Sequence, residues 1–300
     1  MDCICCRYVE PDQIRYAGPM QTATNPRTLY IVGTPIGNLE DMSHRAVRVL
    51  QSVDLIAAED TRHTGKLLHH FQITTPQVSY HEHNRISRLP DLLARLNQGQ
   101  AIALVSDAGM PGISDPGYEL VRACAEAAIP VVPIPGPSAA IAALTASGLP
   151  SDRFVFEGFL PTKPSARRAH LESLKAETRT LIFYEAPHRL RATLQDLLIL
   201  GEDRQIVLAR ELTKLHEQIW RGTLAAAIAF YQEREPQGEY TLVVAGATVS
   251  QPVLSDEALL AELQRFMQAG LSRSEASRQL AQQTALPRRH IYQLALSLPD

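Results

Sequence analysis

Three hundred residues, 45% hydrophobic and 20% charged, supply enough apolar surface for one large or two ordinary packed domains. A formal net charge of −3 excludes a generally basic nucleic-acid coat, so any nucleic-acid partner has to meet a local basic patch. No apolar run approaches the roughly 20 residues that span a bilayer, and no secretory leader pattern opens the chain, so a cytoplasmic protein without membrane contact is expected.

Cys3, Cys5 and Cys6 crowd the first six residues, ahead of any periodic pattern. Zinc sites need four ligands at wider spacing, so no metal site is expected, and residues 1–27 read as a disordered leader. Cys124 falls in a helical pattern and reads as a small core residue.

Residues 28–32 (TLYIV) predict a first strand that runs into Gly33-Thr34-Pro35-Ile36-Gly37-Asn38. Asp41 or Ser43 then caps a helix through about residue 52. The loop is glycine-rich, yet it is not the G-x-G-x-x-G of dinucleotide-binding folds. Residues 53–57 form a second strand that ends in a polar loop, Ala58-Glu59-Asp60-Thr61-Arg62-His63. Residues 78–80 lead into His81-Glu82-His83-Asn84-Arg85. On a strand His81 and His83 share a face while Glu82 points away, so substrate contact is favoured over metal binding. A helix over 89–97 stops at Gly99.

Residues 101–105 (AIALV) have the length and branching of a buried parallel strand. They end in SDAGMPGISDPG, after which a helix is expected over 118–128. Residues 131–134 run into Pro135-Gly136-Pro137, with Ser138 capping an apolar helix over 139–147. Strand, glycine–proline loop and helix recur three times. That pattern predicts a mostly parallel sheet with a ligand crevice at the carboxyl ends of its strands. Glycines there admit a ligand to backbone N–H groups.

Gly148-Leu149-Pro150-Ser151-Asp152 marks a boundary between an N-terminal α/β domain, 28–148, and a C-terminal α+β domain, 149–248. Strands are expected over 154–159, 180–184, 205–209, 216–220 and 240–245, with fewer helices between them. Lys163, Arg167 and Arg168, in a proline-containing loop, form the best phosphate-facing patch. Residues 253–300 predict three short helices, the last opening with Arg288, Arg289 and His290. That arrangement fits a helix-turn-helix-like module or a plain packing appendage.

Nine stretches occur in one order: GTPIGNLEDMSHRA, AAEDTRHTGKLL, SYHEHN, LVSDAGMPGISDPGYELV, PIPGPSA, FEGFLP, FYEAPHRL, ARELTKLHE and GEYTLVVAG. Together they resemble the ribosomal RNA small-subunit methyltransferase I family of the tetrapyrrole methylase fold, over about residues 28–245. The resemblance implies two α/β domains with a cofactor cleft between them, plus the small C-terminal helical module. It also implies a homodimer that uses S-adenosylmethionine to methylate the 2′-oxygen of a cytidine ribose in the decoding centre of 16S rRNA, in the small ribosomal subunit. By resemblance, Asp107, Ala108, Gly109, Ile113, Ser114, Ser138, Ala139, Tyr184 and Leu212 hold the cofactor, with Pro35 near its methyl-bearing end.

A ribose hydroxyl is a weak acid, so a proton acceptor helps at the moment of attack. Glu59 and Glu185, at strand ends, are the first candidates. Arg62, His63, His81 and Arg189 are expected to orient RNA beside Lys163, Arg167 and Arg168. The rival readings are a corrinoid- or tetrapyrrole-precursor methyltransferase and a non-catalytic RNA-binding assembly factor.

Overall fold

The computed structural model of the chain describes residues 24–248, 255–284 and 286–298, which fall into two compact units divided after Gly246. The cysteine tract and most of the expected leader lie outside the described residues.

The first unit begins with a five-stranded sheet. Its strands are β1 (Leu29–Val32), β2 (Leu55–Ala58), β3 (Gln77–Ser79), β4 (Ile102–Val105) and β5 (Val131–Ile134), in the order β3-β2-β4-β1-β5. Every pair is parallel. Alternate side chains feed opposite faces of this sheet. Tyr30 and Val32 pack with α1 (His44–Ser52) and α2 (Thr61–His70), while Leu29 and Ile31 pack with α3 (Arg85–Asn97) and α4 (Tyr118–Glu126). Burial on both faces explains the unbroken apolar runs in the sequence. Parallel pairing also brings all five carboxyl ends to one edge.

Two local outcomes matter at that edge. The Ser43 hydroxyl accepts the Ala46 N–H (3.1 Å) and starts α1. The polar stretch after β2 is not a loop but the start of α2, because the Asp60 carboxylate caps it by accepting the Arg62 N–H at 2.8 Å.

A second sheet holds β6 (Phe154–Phe159), β7 (Thr180–Glu185), β8 (Gln205–Arg210), β9 (Gln218–Thr223) and β10 (Tyr240–Val244), in the order β6-β7-β10-β8-β9. Only β6 and β7 run parallel. Three helices, α6 (Pro164–Leu174), α7 (Pro187–Leu197) and α8 (Leu224–Gln232), pack on its outer face. They are fewer than the five α-helices that precede this sheet in the chain, as expected. Pro164 and Pro187 stand at first helical positions, where a missing N–H costs nothing, so prolines that read as loop residues open helices instead. The other face is covered by α5 (Ala139–Ser147), whose Ala140, Ala143 and Leu144 pack on Ile182, Val207 and Val243. The helix that follows β5 in the chain thus crosses to the second sheet and ties the two sheets into one body.

The second unit is a three-helix cluster: α9 (Asp256–Gln268), α10 (Arg273–Thr284) and α11 (Arg288–Leu296), packed around Leu259, Leu263, Leu280 and Ile291. Arg288 donates to the Ser274 hydroxyl (3.0 Å), and His290 pairs with Asp256 (3.1 Å). Among the described residues no helix is long and apolar enough to cross a membrane.

Candidate active site

Three loops at the carboxyl edge of the first sheet lock together through backbone. Thr34 and Gly109 exchange hydrogen bonds (2.9 and 3.1 Å), joining the loop after β1 to the loop after β4. Gly33 and Gly136 approach so closely that a Cβ on Gly33 would lie 2.7 Å from the Gly136 Cα. Those two glycines serve loop against loop, not loop against ligand.

Asp107 is braced from both sides. Its N–H donates to the Glu59 carboxylate (3.2 Å), and its own Oδ1 accepts the Asp60 N–H (3.1 Å). Burial pushes the Glu59 carboxyl above its ordinary value, and the nearby Asp107 and Asp60 charges add to that. Asp60 is held well below the usual carboxylate range by Arg62.

Between the sheets lies a cavity of about 270 Å³. Its first wall is the loop after β4, with Ala108, Gly109, Met110, Ile113, Ser114 and Asp115. The start of α5 (Ser138, Ala139) and Tyr184 at the end of β7 close a second side. Leu212, Lys214, Glu239 and Thr241 come from the second sheet, and Ile36 from the loop after β1. A second cavity of about 490 Å³ adjoins it and shares Ile36, Ala108, Lys214 and Glu239. Pro35, His63, Lys66 and Asp107 line this second space. The cofactor residues expected from the sequence therefore divide, with eight around the first cavity and Pro35 and Asp107 in the second.

Tyr184 has a role that the sequence did not show. Ser138 occupies the cap position of α5 but makes no side-chain cap bond, and the Tyr184 hydroxyl instead accepts the Ala140 N–H at 3.3 Å.

Seven of the other expected residues, Glu59, Arg62, His81, Lys163, Arg167, Arg168 and Arg189, line neither cavity, whereas Glu185 borders the first. Glu185 is 1% exposed; its carboxylate accepts from the Ala186 N–H and the Thr193 hydroxyl and is ion-paired with the Arg189 guanidinium at 3.3 Å. A carboxylate so engaged holds β7 to α7 while bordering the first cavity. Arg189 also points inward, donating to the Leu160 carbonyl at 2.7 Å, so it braces the segment before α6 and does not reach for RNA. Arg167 is 5% exposed and doubly bonded to Asp196 (2.6 and 2.7 Å). Because Pro164 starts a helix, Arg167 faces the core while Arg168 and Lys163 stay exposed. Glu59 lies behind the Asp107 loop and lines neither cavity. Arg62 is exposed and folded back onto Asp60; His81 is half-buried, close enough to Glu59 for its charge to be felt there.

Asp115, Lys214 and Glu239 line the first cavity and were not singled out from sequence. The motif SDAGMPGISDPG contains Asp115, but nothing in the letters distinguishes the second aspartate from a turn residue. Lys214 bridges Glu211 (2.9 Å) and Glu239 (2.8 Å). A Cβ at Gly37 would collide with the Lys214 side chain, so this strap of the second sheet lies against the loop after β1.

A family model described as Tetrapyrrole (Corrin/Porphyrin) Methylases matches residues 28–228. The chain is 65% identical over 272 residues to the "Ribosomal RNA small subunit methyltransferase I" of Synechocystis sp., covering 90% of this chain and 98% of that one. It is 51% identical over 280 residues to the protein of the same name from Escherichia coli O157:H7, covering 92% and 97%. Among solved structures it is similar to uroporphyrin-III-C-methyltransferase from Thermus thermophilus, with a TM-score of 0.52 over 73% of this chain and 94% of that one. At 22% identity that likeness shows the fold alone. With 65% identity across nine-tenths of its length, the chain belongs to the ribosomal RNA small subunit methyltransferase I family, built on the tetrapyrrole methylase fold.

Proposed function

We propose that the chain methylates the 2′-oxygen of a cytidine ribose in small-subunit 16S ribosomal RNA, at the decoding centre, with S-adenosylmethionine as methyl donor. The observation that carries this reading is the pair of adjoining cavities, one lined by the residues expected to hold the donor and one by Asp107, His63 and Lys66, in a chain so close to relatives of that name.

The residues of the first cavity fit the donor. Ile36, Met110, Ile113 and Leu212 offer apolar walls to a heteroaromatic ring. Ser114, Ser138 and Thr241 offer hydroxyls, and Asp115 offers a carboxylate to a cation. When bound, S-adenosylmethionine supplies a methyl group already attached to a good leaving group, so alignment is the larger part of the protein's task.

In the second cavity Asp107 and His63 are proton acceptors on the wall beside Glu239, which is paired with Lys214, and Lys66 offers a cation to phosphate. Asp107 spends Oδ1 on the Asp60 N–H, which fixes the carboxylate and leaves Oδ2 to a substrate hydroxyl. Lys163 and Arg168 extend the basic surface. The assembly is a homodimer, which light scattering checks.

The test is transfer of tritium from methyl-labelled S-adenosylmethionine to small subunits that lack the modification, with free rRNA and a reduced tetrapyrrole as competing acceptors. Label in ribosomal RNA, lost when Leu212→Trp fills the first cavity, is the expected result. Label only in the tetrapyrrole, or in neither, overturns the reading.

A further inference from the structure

The wall of the first cavity that carries Asp115 holds more negative charge than its surroundings neutralise. Asp115 faces Glu59 from the end of β2, Asp107 and the Ser106 hydroxyl from its own loop, and the Tyr184 phenol from β7. Around Glu59 stand Asp107, Asp60 and the His81 imidazole. Arg62 is close enough to feel Asp107, but it is 89% exposed and its Nε and Nη2 donate to Asp60 (3.1 and 2.7 Å). Lys214, across the cavity, is held between two carboxylates of its own, Glu211 and Glu239. Burial pushes the Asp115 carboxyl up to about 7, and the neighbouring Glu59 and Asp107 charges push the same way.

The proposed reaction changes charge at this wall. The sulfur–methyl bond breaks as the oxygen–methyl bond forms. The electron pair of the broken bond stays on sulfur, and the hydroxyl proton passes to an acceptor and then to water. The donor is a sulfonium and the product, S-adenosylhomocysteine, a neutral thioether. The two molecules otherwise share the same adenosine, amino and carboxyl groups.

We propose that Asp115 is the charge-discriminating residue of this cavity: backed by Glu59 and Asp107, its carboxylate favours the sulfonium donor over the thioether product, so that the spent cofactor loses part of its hold once the methyl group has left. This inference rests on the cofactor reading given above. A carboxylate and a sulfonium inside one cavity, at an effective dielectric of about 20, account for a preference on the order of tenfold. Binding of the sulfonium also draws the proton off Asp115, so donor binding near neutral pH releases protons that product binding does not.

The test is isothermal titration of the whole chain with S-adenosylmethionine and with S-adenosylhomocysteine, from pH 6 to 8.5, in two buffers of different ionisation enthalpy. The sulfonium also acidifies the donor's own amino group, so the ratio of the two dissociation constants is compared between the native chain and Asp115→Asn, where that ligand effect cancels. The preference for donor over product is expected to rise with pH through about 7 in the native chain, with proton release seen for the donor. In Asp115→Asn the preference is expected to drop about tenfold and to lose the pH dependence that Asp115 supplies. Binding of both ligands with a ratio that Asp115→Asn leaves unchanged across the pH range overturns the proposal while leaving the cofactor reading intact. Failure of S-adenosylmethionine to bind the native chain overturns both. If Asp115→Asn does not fold, Asp115→Ser supplies the same neutral comparison.

Discussion

The Tyr184 hydroxyl, on the second sheet, accepts the Ala140 N–H at the start of α5 (3.3 Å), so a side chain from one sheet caps the helix that leaves the other. The ring is held in place by edge-on contacts with Phe156 and Phe159, at 5.0 and 5.6 Å. Tyr184→Phe keeps that packing and removes the cap alone. A loss of about 1 kcal/mol in urea unfolding is expected, together with weaker donor binding as the α5 start relaxes. An unchanged unfolding midpoint would show that Ser138 or solvent replaces the cap at no cost.

Arg167 and Arg168 are neighbours in sequence with opposite duties. Arg167→Ala leaves Asp196, whose side chain is 11% exposed, with only Arg168 at 3.6 Å, and is expected to cost about 3 kcal/mol of stability. Arg168→Ala and Lys163→Ala are expected to change stability by less than about 0.5 kcal/mol. Each should instead weaken binding to small subunits and lower the slope of log affinity against log salt by about one. Filter binding across a salt series reads this directly; equal slopes in native and variant chains would remove these cations from the RNA surface.

Gly136→Ala tests the loop contact beneath the site. Its new methyl carbon would sit 2.7 Å from the Gly33 Cα, backbone against side chain with no flexible end to yield. A cost of about 1–3 kcal/mol follows, and donor affinity should fall with it because both loops border the cavities. A thermal midpoint equal to that of the native chain would mean that the loops part without penalty.

Asp115 makes the unliganded protein less stable as pH rises. A carboxyl that titrates near 7 when folded and near 3.8 when unfolded keeps its proton in the folded state between those values. Its contribution is therefore intact below about 3.8 and is lost as pH climbs through about 7. Asp115→Asn, neutral throughout, should melt increasingly above the native chain from pH 4 to 7 and by a constant margin beyond. A margin that does not change with pH would place the Asp115 carboxyl at its ordinary value.

The carboxyl edge of the first sheet was legible in the sequence because parallel strands are continuous apolar runs and their loops carry glycine and proline. Eight of the ten cofactor residues that the resemblance implied meet around one cavity, six of them from loops of that edge and two, Tyr184 and Leu212, from the second sheet's side. What escaped were consequences of tertiary packing. Pro164 and Pro187 look like loop residues until a helix is seen to start on them. Once α6 begins there, its period turns Arg167 inward, which a linear patch of cations cannot reveal. Glu185 stands at a strand end like Glu59, but Thr193 and Arg189 come back along α7 to consume it. The crossing of α5 to the second sheet likewise depends on which apolar face is left uncovered, a property of the assembled fold.

The claim that matters most is that the methyl group goes to a ribose oxygen in small-subunit RNA. It is tested by incubating the purified chain and S-adenosylmethionine with small subunits lacking the modification, digesting the rRNA to nucleosides and separating them by mass and retention. One new 2′-O-methylcytidine per subunit, mapped to the decoding centre and absent when Asp107→Ala is used, is the result expected here. A methyl group on a base, or rRNA returned unmodified by a chain that binds the donor, would contradict the account.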